Sequence, residues 1–277
     1  MPTLYVVGTP IGNLEDITQR ALRVLRETPL VAAEDTRVAR KLLSAYGLRA
    51  RFVTYNDNNR AQRLPLILEA LQEHDVVLVT DAGMPALSDP GSQLVTAAAA
   101  AGFAVQVVPG PSALTAALAV AGLPVAQFLF LGFPPSRPGP RRRLLASVAQ
   151  LPYAIVLFEA PHRLRATLAD LDAVFGPRLL AVCRELTKRF EEVFRGTAAT
   201  ALAHFAEPRG EFTLVLVSPQ EAAGTVATEG EPDAKEELAR LKAEGVSPGR
   251  AVAQVARRWR VTRRQVYTWW VESSNSR

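Results

Sequence analysis

Short runs of β-branched residues, each followed by turn residues and a helical pattern, constrain the fold of this chain most. Helical patterns fill the intervals, and one of them runs through Glu27 behind a possible capping residue, Asn13. Two others, Ser92–Ala101 and Ser112–Ala121, consist of small residues. The alternation is typical of an α/β protein with largely parallel strands. The predicted strands are Leu4–Val7, Val76–Thr80, Val105–Val108, Phe128–Leu131, Ala154–Phe158, Leu179–Cys183 and Thr213–Val217.

Two breaks in the pattern divide the chain. The sequence FPPSRPGPRRR at 133–143 begins too rich in proline for regular structure and predicts an exposed basic loop. Residues 218–233 are rich in Ala, Gly, Thr and Glu and predict a linker. We therefore expect an α/β domain at 1–120, a second α/β domain at 121–218, a linker at 219–233 and a small helical tail domain at 234–277.

Composition excludes several classes of protein. The 277 residues contain no stretch of the ~18 consecutive apolar residues that a membrane span requires, and no secretory pattern opens the chain. Cys183 is the single cysteine, which excludes an internal disulfide, and the three histidines lack metal-ligand spacing. These features predict a cytoplasmic protein without a membrane or metal partner. The net charge of +5 permits a polyanionic partner.

Loops rich in glycine and proline follow four of the predicted strands. They are Gly8–Asn13, TDAGMPALSDPG at 80–91, VPGPSA at 108–113 and FEAPHR at 158–163. Each of them alone is explained by turn closure, but four together indicate a ligand site, because ligands of open α/β sheets gather at the carboxyl ends of strands. The spacing of Gly8 and Gly12 matches neither the dinucleotide fingerprint nor the phosphate-binding P-loop.

The residue types in these loops indicate a ligand without phosphates. The first three loops lack basic residues, and Asp81 at a strand end would repel a phosphate. A carboxylate there accepts hydrogen bonds from ribose hydroxyls or an amine. Backbone groups around Gly83 and Ser112 can hydrogen-bond an adenine or a carboxylate. The pattern therefore predicts a nucleoside-like ligand, without naming one.

Six motifs, in this order along the chain, resemble those of one known family. They are LYVVGTPIGNLEDIT (4–18), AAEDTR (32–37), TDAGMPALSDPG (80–91), PGPSA (109–113), FEAPHR (158–163) and CRELTKRFEEVFRG (183–196). Together they resemble the ribosomal RNA small subunit 2'-O-methyltransferase I family, which has the tetrapyrrole-methylase-like fold of S-adenosylmethionine-dependent enzymes. The resemblance runs from Leu4 to about Val217. It implies a cofactor cleft between two domains.

The resemblance also implies which residues contact S-adenosylmethionine. The family more often has Thr where this chain has Met84, which implies a backbone contact there. It tends to have a His-rich stretch near Tyr55, where this chain has YNDNNR, so no role transfers to those positions. The tetrapyrrole branch usually has Gly-Asp-Pro in place of Asp81-Ala82-Gly83, which favours the RNA branch. The implied contacts are Pro10, Asp81, Gly83, Met84, Ser112, Ala113 and Phe158.

Transfer of an activated sulfonium methyl needs little more than an aligned nucleophile. A ribose 2'-hydroxyl is a poor nucleophile, so a base or a cation that stabilises the forming alkoxide would help. For each candidate residue a solvated ion pair is an equally good explanation, and no general base is assigned. The candidates are Glu185, Lys188, Glu34 and Arg37, followed by Asp35, Glu159 and Arg184.

The end of the chain combines arginine with tryptophan. Residues 245–271 contain six arginines, all three tryptophans of the chain and no acidic residue. Ser247-Pro248 predicts a helix start, and Thr262-x-x-Gln265 matches a capping box, so two helices with a turn near Arg260–Val261 form a helix-turn-helix-like unit. Its expected core is Ala251, Val255, Trp259, Val266 and Trp270.

Unbalanced arginines favour a nucleic-acid partner, whereas the competing interpretation is a hairpin that docks a dimer. The expected RNA contacts are Arg250, Arg257, Arg258, Arg260, Arg263 and Arg264 in the tail, with Arg141, Arg142 and Arg143 extending the track. The leading hypothesis is a homodimeric enzyme that methylates a cytidine 2'-oxygen in the decoding region of small-subunit ribosomal RNA, free or in the assembled subunit. Two alternatives stay open: a tetrapyrrole C-methyltransferase and a nucleic-acid-binding regulator that senses a nucleoside.

Overall fold

The computed structural model describes residues 2–87, 91–220, 231–259, 261 and 263–272. These residues form two five-stranded sheets with helices around them, followed by three helices. The expected α/β class is confirmed, and all seven predicted strands are present. The strands are β1 Thr3–Val7, β2 Leu30–Ala33, β3 Arg51–Thr54, β4 Val76–Val79, β5 Ala104–Val108, β6 Phe128–Phe130, β7 Ala154–Glu159, β8 Leu179–Arg184, β9 Glu192–Thr197 and β10 Phe212–Leu216.

Helices separate most of the strands. They are α1 Gln19–Glu27, α2 Thr36–Ala45, α3 Arg60–Glu73, α4 Gly91–Ala100, α5 Ala113–Val120, α6 Pro138–Val148, α7 Pro161–Phe175, α8 Ala198–His204, α9 Glu231–Ala243, α10 Pro248–Trp259 and α11 Arg263–Glu272. The helix expected behind Asn13 is divided, because Asn13 caps a short 3-10 turn and Thr18 caps α1 through the amide of Ala21. None of the described helices has both the length and the apolar character that crossing a membrane requires.

The first sheet is parallel throughout, in the order β3-β2-β4-β1-β5. Side chains alternate along its strands: Val7 packs with α1 and α2 on one face, and Leu4 and Val6 pack with α3 and α4 on the other. The parallel arrangement brings the carboxyl ends of β1, β2 and β4 to one edge. That edge holds the loops that the sequence singled out.

The second sheet corrects the expectation of largely parallel strands. Its order is β6-β7-β10-β8-β9, and only the β6–β7 pair is parallel. The sequence analysis also missed β2, β3 and β9. The first two are four-residue strands, and β9 interrupts its apolar residues with Glu192 and Arg195. Their hydrogen-bond partners, rather than apolar runs, define them as strands.

Helix α5 follows the first sheet in sequence but packs on the second. Ala117 and Ala121 lie in one cluster with Val156, Ala181 and Val215, which face α5 from β7, β8 and β10. The other face of this sheet carries α6, α7 and α8. Helix α5, which the expected boundary near residue 120 assigns to the first unit, therefore contributes to the core of the second sheet.

The tail contains three helices where the sequence analysis expected two. Helix α9 contributes Ala234, Leu238 and Leu241 to a core shared with α10 and α11. Of the expected core residues, Ala251, Val255 and Val266 are buried, but Trp259 and Trp270 are partly exposed and Trp269 is the buried tryptophan. The predicted linker lies largely outside the described residues, and its last residues, 231–233, already belong to α9.

Candidate active site

A cavity of about 550 Å3 lies where the carboxyl edge of the first sheet meets the second sheet. The loops after β1, β2, β4, β7 and β8 all reach it, together with the start of α5 and the start of β10. Six of the seven expected cofactor contacts line this cavity: Asp81, Gly83, Met84, Ser112, Ala113 and Phe158. Pro10 does not, and its neighbour Ile11 takes that place in the wall.

The first loop is anchored to the second and third loops through their backbones. Thr9 and Gly83 exchange two amide–carbonyl hydrogen bonds, of 2.9 and 3.1 Å. A Cβ atom on Gly8 would lie 2.7 Å from the Cα of Gly110 and 2.6 Å from the Sδ of Met84. Glycine is therefore needed at positions 8 and 110 because the backbones of the first and third loops touch there, and not because a phosphate binds. This close crossing brings the three loops to one wall.

Carboxylates dominate the polar part of the wall. The acids that line the cavity, together with Lys188, are Glu34, Asp81, Glu159, Glu185 and Glu211. Such a surplus of negative charge repels phosphate and favours a ligand with cationic groups. The sequence-based exclusion of phosphate ligands therefore agrees with the geometry.

Asp81 and Glu34 lie on neighbouring strand ends. Asp81 Oδ1 accepts the amide of Asp35 at 3.0 Å, and Glu34 Oε2 accepts the hydroxyl of Thr80 at 2.7 Å. Burial, and next the charge of Glu34, raise the pKa of Asp81 above its ordinary value. The charge of Asp81 is therefore repelled by that of Glu34. A ligand that donates hydrogen bonds to Asp81 would offset this repulsion.

Ser112 and Phe158 both line the cavity. Ser112 occupies the position before α5, and its hydroxyl makes no capping hydrogen bond. Phe158 packs against Phe130 and Phe133, with ring centroids 4.9 and 5.5 Å away. The sequence analysis missed these two rings, which follow or end the short edge strand β6. The three rings supply the apolar surface that a nucleoside base requires.

Lys188 is held by two carboxylates. Its Nζ lies 2.9 Å from Glu185 Oε1 and 2.6 Å from Glu211 Oε2. Burial opposes the charge, but the hydrogen bonds to Glu211 and Glu185 outweigh it and raise the pKa of Lys188. Lys188 is therefore an ammonium cation at neutral pH and does not act as a base. Glu211, just before β10, has no sequence signal of its own and was missed.

The loop that carries Lys188 has a strained backbone. Glu185 and Thr187 both have left-handed φ angles, 49° and 66°. Such angles cost of order 1 kcal/mol each in residues other than glycine and cluster at functional sites. The first loop touches this segment, since a Cβ on Gly12 would lie 2.3 Å from the Cγ of Lys188. The strain is therefore held in place by the contact between the two loops.

Two other candidates, Glu159 and Arg184, are held by contacts within the second sheet and its helices. Glu159 lines the cavity but is buried, and it accepts the hydroxyl of Thr167 at 2.5 Å and the amide of Ala160 at 2.9 Å. Arg184 donates to the carbonyl of Arg209 and pairs with Glu192. These contacts give the two residues structural roles. Cys183 also lines the cavity, and burial raises the pKa of its thiol to about 11, so the thiol stays protonated at neutral pH.

Asp35 and Arg37 lie beside the main cavity, in a second cavity that Glu34 also lines. Hydrogen bonds from the side chain and backbone of Arg37 hold the pKa of Asp35 at about 2. The YNDNNR segment supplies the other side of this second cavity through Asn56, Asp57 and Asn58. The cavity is open and hydrophilic, and Arg37 is an exposed residue of its rim rather than of the main site.

The basic segment at 133–143 has no helix or strand at its proline-rich start, 133–137, as expected, but residues 138–143 form the beginning of α6 and not an exposed loop. Arg141 is buried in α6, and its Nε lies 2.7 Å from the buried carboxylate of Asp170. Arg142 is exposed but also pairs with Asp170, at 2.6 Å. Arg141 is therefore withdrawn from the expected RNA contacts, because its guanidinium stabilises the packing of α6 on α7. Arg143 is exposed and remains available.

The tail presents basic side chains to solvent. Arg250, Arg257, Arg258 and Arg263 are exposed. Arg260, the side chain of Arg264, and Thr262, the first residue of the expected capping box, lie outside the part that the structure describes. One acid approaches this group: Glu237 of α9 accepts the indole N–H of Trp259 at 2.7 Å and pairs with Arg258 at 3.3 Å. Trp259 is thereby fixed as part of the tail's structure.

Comparisons with known proteins agree with this architecture. The profile of the family described as Tetrapyrrole (Corrin/Porphyrin) Methylases matches residues 3–202. Among solved structures, the chain is similar to diphthine synthase (TM-score 0.61, 15% identity, 79% of this chain and 90% of that one). It is also similar to uroporphyrin-III-C-methyltransferase from Thermus thermophilus (TM-score 0.56, 22% identity, 78% and 94%). At these identities the likeness establishes the fold.

Curated relatives are much more similar in sequence. A ribosomal RNA small subunit methyltransferase I of Synechocystis is 44% identical over 96% of both chains. A protein of the same name from Thermotoga maritima is 48% identical over 78% of this chain and 98% of its own length. The resemblance seen in the motifs is confirmed. With its two sheets, the cavity between them and these relatives, the chain belongs to the tetrapyrrole methylase family, in the group of the ribosomal RNA small subunit methyltransferases I.

Proposed function

We propose that this protein transfers the methyl group of S-adenosylmethionine to the ribose 2'-hydroxyl of a cytidine in the decoding region of small-subunit ribosomal RNA. The observation that supports it most is the cavity between the two sheets, whose wall combines five carboxylate side chains, one lysine and four phenylalanines, three of which pack together. Relatives named for ribosomal RNA methylation cover most of the chain. The cofactor and substrate are argued separately below.

The cavity fits S-adenosylmethionine in size and charge. Its volume of about 550 Å3 is in the range of sites for small-molecule cofactors. The ligand's sulfonium and amino groups are cationic, which suits a wall with excess carboxylate, and its adenosine part lacks the phosphates that the wall would repel. Asp81, Met84, Ser112, Ala113 and Phe158 would hold it, with Gly83 through its backbone. A bound donor supplies an activated methyl group.

Lys188 is the residue that we assign to the acceptor. As the ribose 2'-oxygen bonds to the methyl group and the sulfur–methyl bond breaks, the hydroxyl proton passes to water; a preorganised cation lowers the energy of the alkoxide charge that develops on the oxygen. Glu185 and Glu211 hold the ammonium group at the cavity wall, so it needs no reorganisation during the reaction. Glu185 orients Lys188. Burial raises the pKa of Glu185, but the hydrogen bonds from Lys188 and from the amide of Glu211 outweigh it and leave that pKa below its ordinary value. Glu185 is therefore a positioning residue.

RNA binding is assigned to the tail and to part of the second α/β unit. The exposed arginines Arg250, Arg257, Arg258 and Arg263, together with Arg142 and Arg143, offer positive charge to phosphates. The Thermotoga relative matches over nearly its whole length while about a fifth of this chain stays unmatched. This supports placing the chemistry in the two sheets and additional RNA affinity in an appended domain.

We also propose that the protein works as a homodimer in the cytoplasm. Val107 on edge strand β5 and Phe128 on edge strand β6 are 58% and 45% exposed, as expected for side chains that a partner subunit would cover. We expect multi-angle light scattering at micromolar concentration and low salt to give twice the mass of one chain. A monomeric mass under those conditions would refute the dimer.

The substrate is tested by methylation of small ribosomal subunits from a strain that lacks this activity. Labelled S-adenosylmethionine should transfer one methyl group per subunit, and nuclease mapping should place it on the 2'-oxygen of a cytidine. Free ribosomal RNA serves as the parallel substrate, which separates naked RNA from the assembled particle. Label on a base, or no label on either substrate, would contradict the proposal.

A tetrapyrrole C-methyltransferase is the second candidate, because the fold is shared with uroporphyrin-III-C-methyltransferase. That reaction would not need the arginine-rich tail. Incubation with a tetrapyrrole and labelled donor, followed by absorption spectroscopy of the product, decides between the two. Methylation of the pigment in place of RNA would favour the second candidate.

A further inference from the structure

An exposed aromatic side chain stands beside the cavity, and the proposed chemistry does not use it. Phe190 is 66% exposed, the most exposed large apolar side chain in the part of the chain that the structure describes. It follows Lys188 by two residues, so the two Cα atoms are within ~7.6 Å of each other. Since Lys188 lines the cavity, Phe190 belongs to a loop that reaches the cavity wall.

The loop around Phe190 is held rigidly. The amide of Lys188 donates to the carbonyl of Glu185 at 2.9 Å, and the amide of Glu191 donates to the carbonyl of Lys188 at 3.1 Å. Glu191 also accepts the amide of Thr187 at 2.7 Å through its carboxylate. These bonds, on both sides of the ring, fix the turn that points it outward. The exposure of Phe190 is therefore built into the loop, in a segment that already contains two strained residues.

Charge around the ring selects a particular kind of partner. The guanidinium of the exposed Arg189 lies 5.6 Å from the centroid of the Phe190 ring, and no ion pair among the described residues includes Arg189. The two acids that follow already have partners, since Glu191 bonds the Thr187 amide and Glu192 bonds Arg184 and His204. An aromatic face with an unpaired cation fits a nucleobase and its phosphate.

We propose that Phe190 stacks on an unpaired nucleobase of the RNA substrate, next to the nucleotide being methylated, while Arg189 contacts the adjoining phosphate. The proposal rests on the proposed function, because it assumes that RNA is the substrate. A base held at the rim lines up its neighbour with the cavity, where the cofactor cleft and Lys188 lie. The pair thus acts in binding and positioning and not in the transfer of the methyl group.

The test compares Phe190→Ala with Phe190→Trp in the full-length protein. Leu66→Ala is the matched control, because Leu66 is an apolar side chain that is 50% exposed on α3. The probe is a short RNA with 2-aminopurine placed beside the target nucleotide, whose fluorescence is quenched when the base stacks. We expect Phe190→Ala to weaken RNA binding about tenfold, in line with the loss of one stacked base, and to abolish the quenching. Phe190→Trp and Leu66→Ala should retain both.

Donor affinity, measured by calorimetry, should be unchanged in all three variants. Arg189→Ala should lower the slope of the logarithm of RNA affinity against the logarithm of salt concentration by ~1. Phe190→Ala with wild-type RNA affinity and quenching would overturn the proposal, and so would a change in oligomeric state without a change in RNA binding. A wild-type protein with Phe190-dependent RNA binding but no methyl transfer would refute the proposed function and leave the stacking intact.

Discussion

At the scale of single residues, Asp81 shows how the site uses an unfavourable charge. Its carboxylate is placed beside Glu34, and burial together with that neighbour raises the pKa of Asp81. A ligand that donates hydrogen bonds to Asp81 removes part of this cost only when it is bound. The charge of Asp81 thus lowers the stability of the protein without ligand and raises its affinity for a ligand that donates hydrogen bonds.

Replacement of Asp81 by Asn should weaken the binding of S-adenosylmethionine by ~1–1.5 kcal/mol, because a charge-assisted hydrogen bond becomes a neutral one. Asn retains an oxygen for the amide of Asp35, so the loop itself should persist. Isothermal calorimetry measures the change, with Glu207→Gln as the control at a surface ion pair. Wild-type affinity in Asp81→Asn would place the donor elsewhere.

The same variant should be more stable than wild type at neutral pH. A carboxyl group whose pKa is raised in the folded state destabilises that state as pH rises through the raised pKa, so the penalty is present at neutral pH and absent in acid. Thermal unfolding should therefore give a higher Tm for Asp81→Asn at pH 7, and the difference should vanish below the ordinary pKa of aspartate. A lower Tm at pH 7 would contradict the assigned charge strain.

At the scale of elements, one buried ion pair joins α6 to α7. Arg141 and Asp170 are both at least 97% buried at their side chains, and they lie 2.7 Å apart. Burial opposes the charge of Asp170, but hydrogen bonds from Arg142 and Arg141 outweigh it and lower its pKa. The stabilising contribution of the ion pair between Arg141 and Asp170 is therefore present at neutral pH, and it is lost as pH falls towards the lowered pKa of Asp170.

Asp170→Ala should destabilise the protein by ~3–5 kcal/mol, because it leaves the Arg141 charge buried without a partner. Urea unfolding measures this, and Arg143→Ala is the control, since Arg143 is an exposed neighbour on the same helix. Arg143→Ala should change stability by less than ~0.5 kcal/mol. If the two variants unfold alike, the ion pair does not support the packing of the two helices.

The crossing of the first and third loops is a second contact between elements. Gly8→Ala would force a methyl group to within 2.6–2.7 Å of Met84 and Gly110, so the loops must separate. We expect a loss of ~1–3 kcal/mol in stability, as for other overpacked sites, and a fall in donor affinity. Gly139→Ala is the matched control, since its added methyl would meet only Arg143 Nη1, at 3.6 Å. Unchanged donor binding in Gly8→Ala would show that the crossing does not shape the site.

At the scale of the whole molecule, cofactor chemistry and RNA affinity are expected to be separable. The tail has a core of its own, built from α9, α10 and α11. The cavity residues extend from Ile11 to Thr213 and come from the two sheets and their loops. This division predicts what removal of the tail would do.

A chain that ends at Gln220 should retain donor affinity and lose most RNA affinity. Because arginines that contact phosphates release counterions, wild-type RNA binding should weaken steeply with salt, whereas the truncated protein should show a smaller slope. Donor and RNA titrations of both proteins at two salt concentrations test this. Equal RNA binding would return the tail to a structural role and shift attention to Arg142 and Arg143.

The sequence by itself determined the elements whose signals are local. In the described part of the chain, apolar runs located seven of the ten strands, and the arginine–tryptophan segment located two of the three tail helices. The motifs that resemble the family located six lining residues of the cavity. Each of these signals arises within about a dozen neighbouring residues, so the chain carries it before it folds. The phosphate-free character of the ligand also followed from side-chain types alone.

Only the tertiary structure decided which distant groups meet. The antiparallel order of the second sheet depends on hydrogen bonds between strands, and no apolar pattern specifies them. Arg141 is buried because Asp170, 29 positions later, lies against it. Lys188 is a fixed cation because Glu211, just before β10, bonds its ammonium group. An arginine or lysine in a sequence looks the same whether it is solvated or paired. Its role is set by the desolvation and the partner charge that folding supplies.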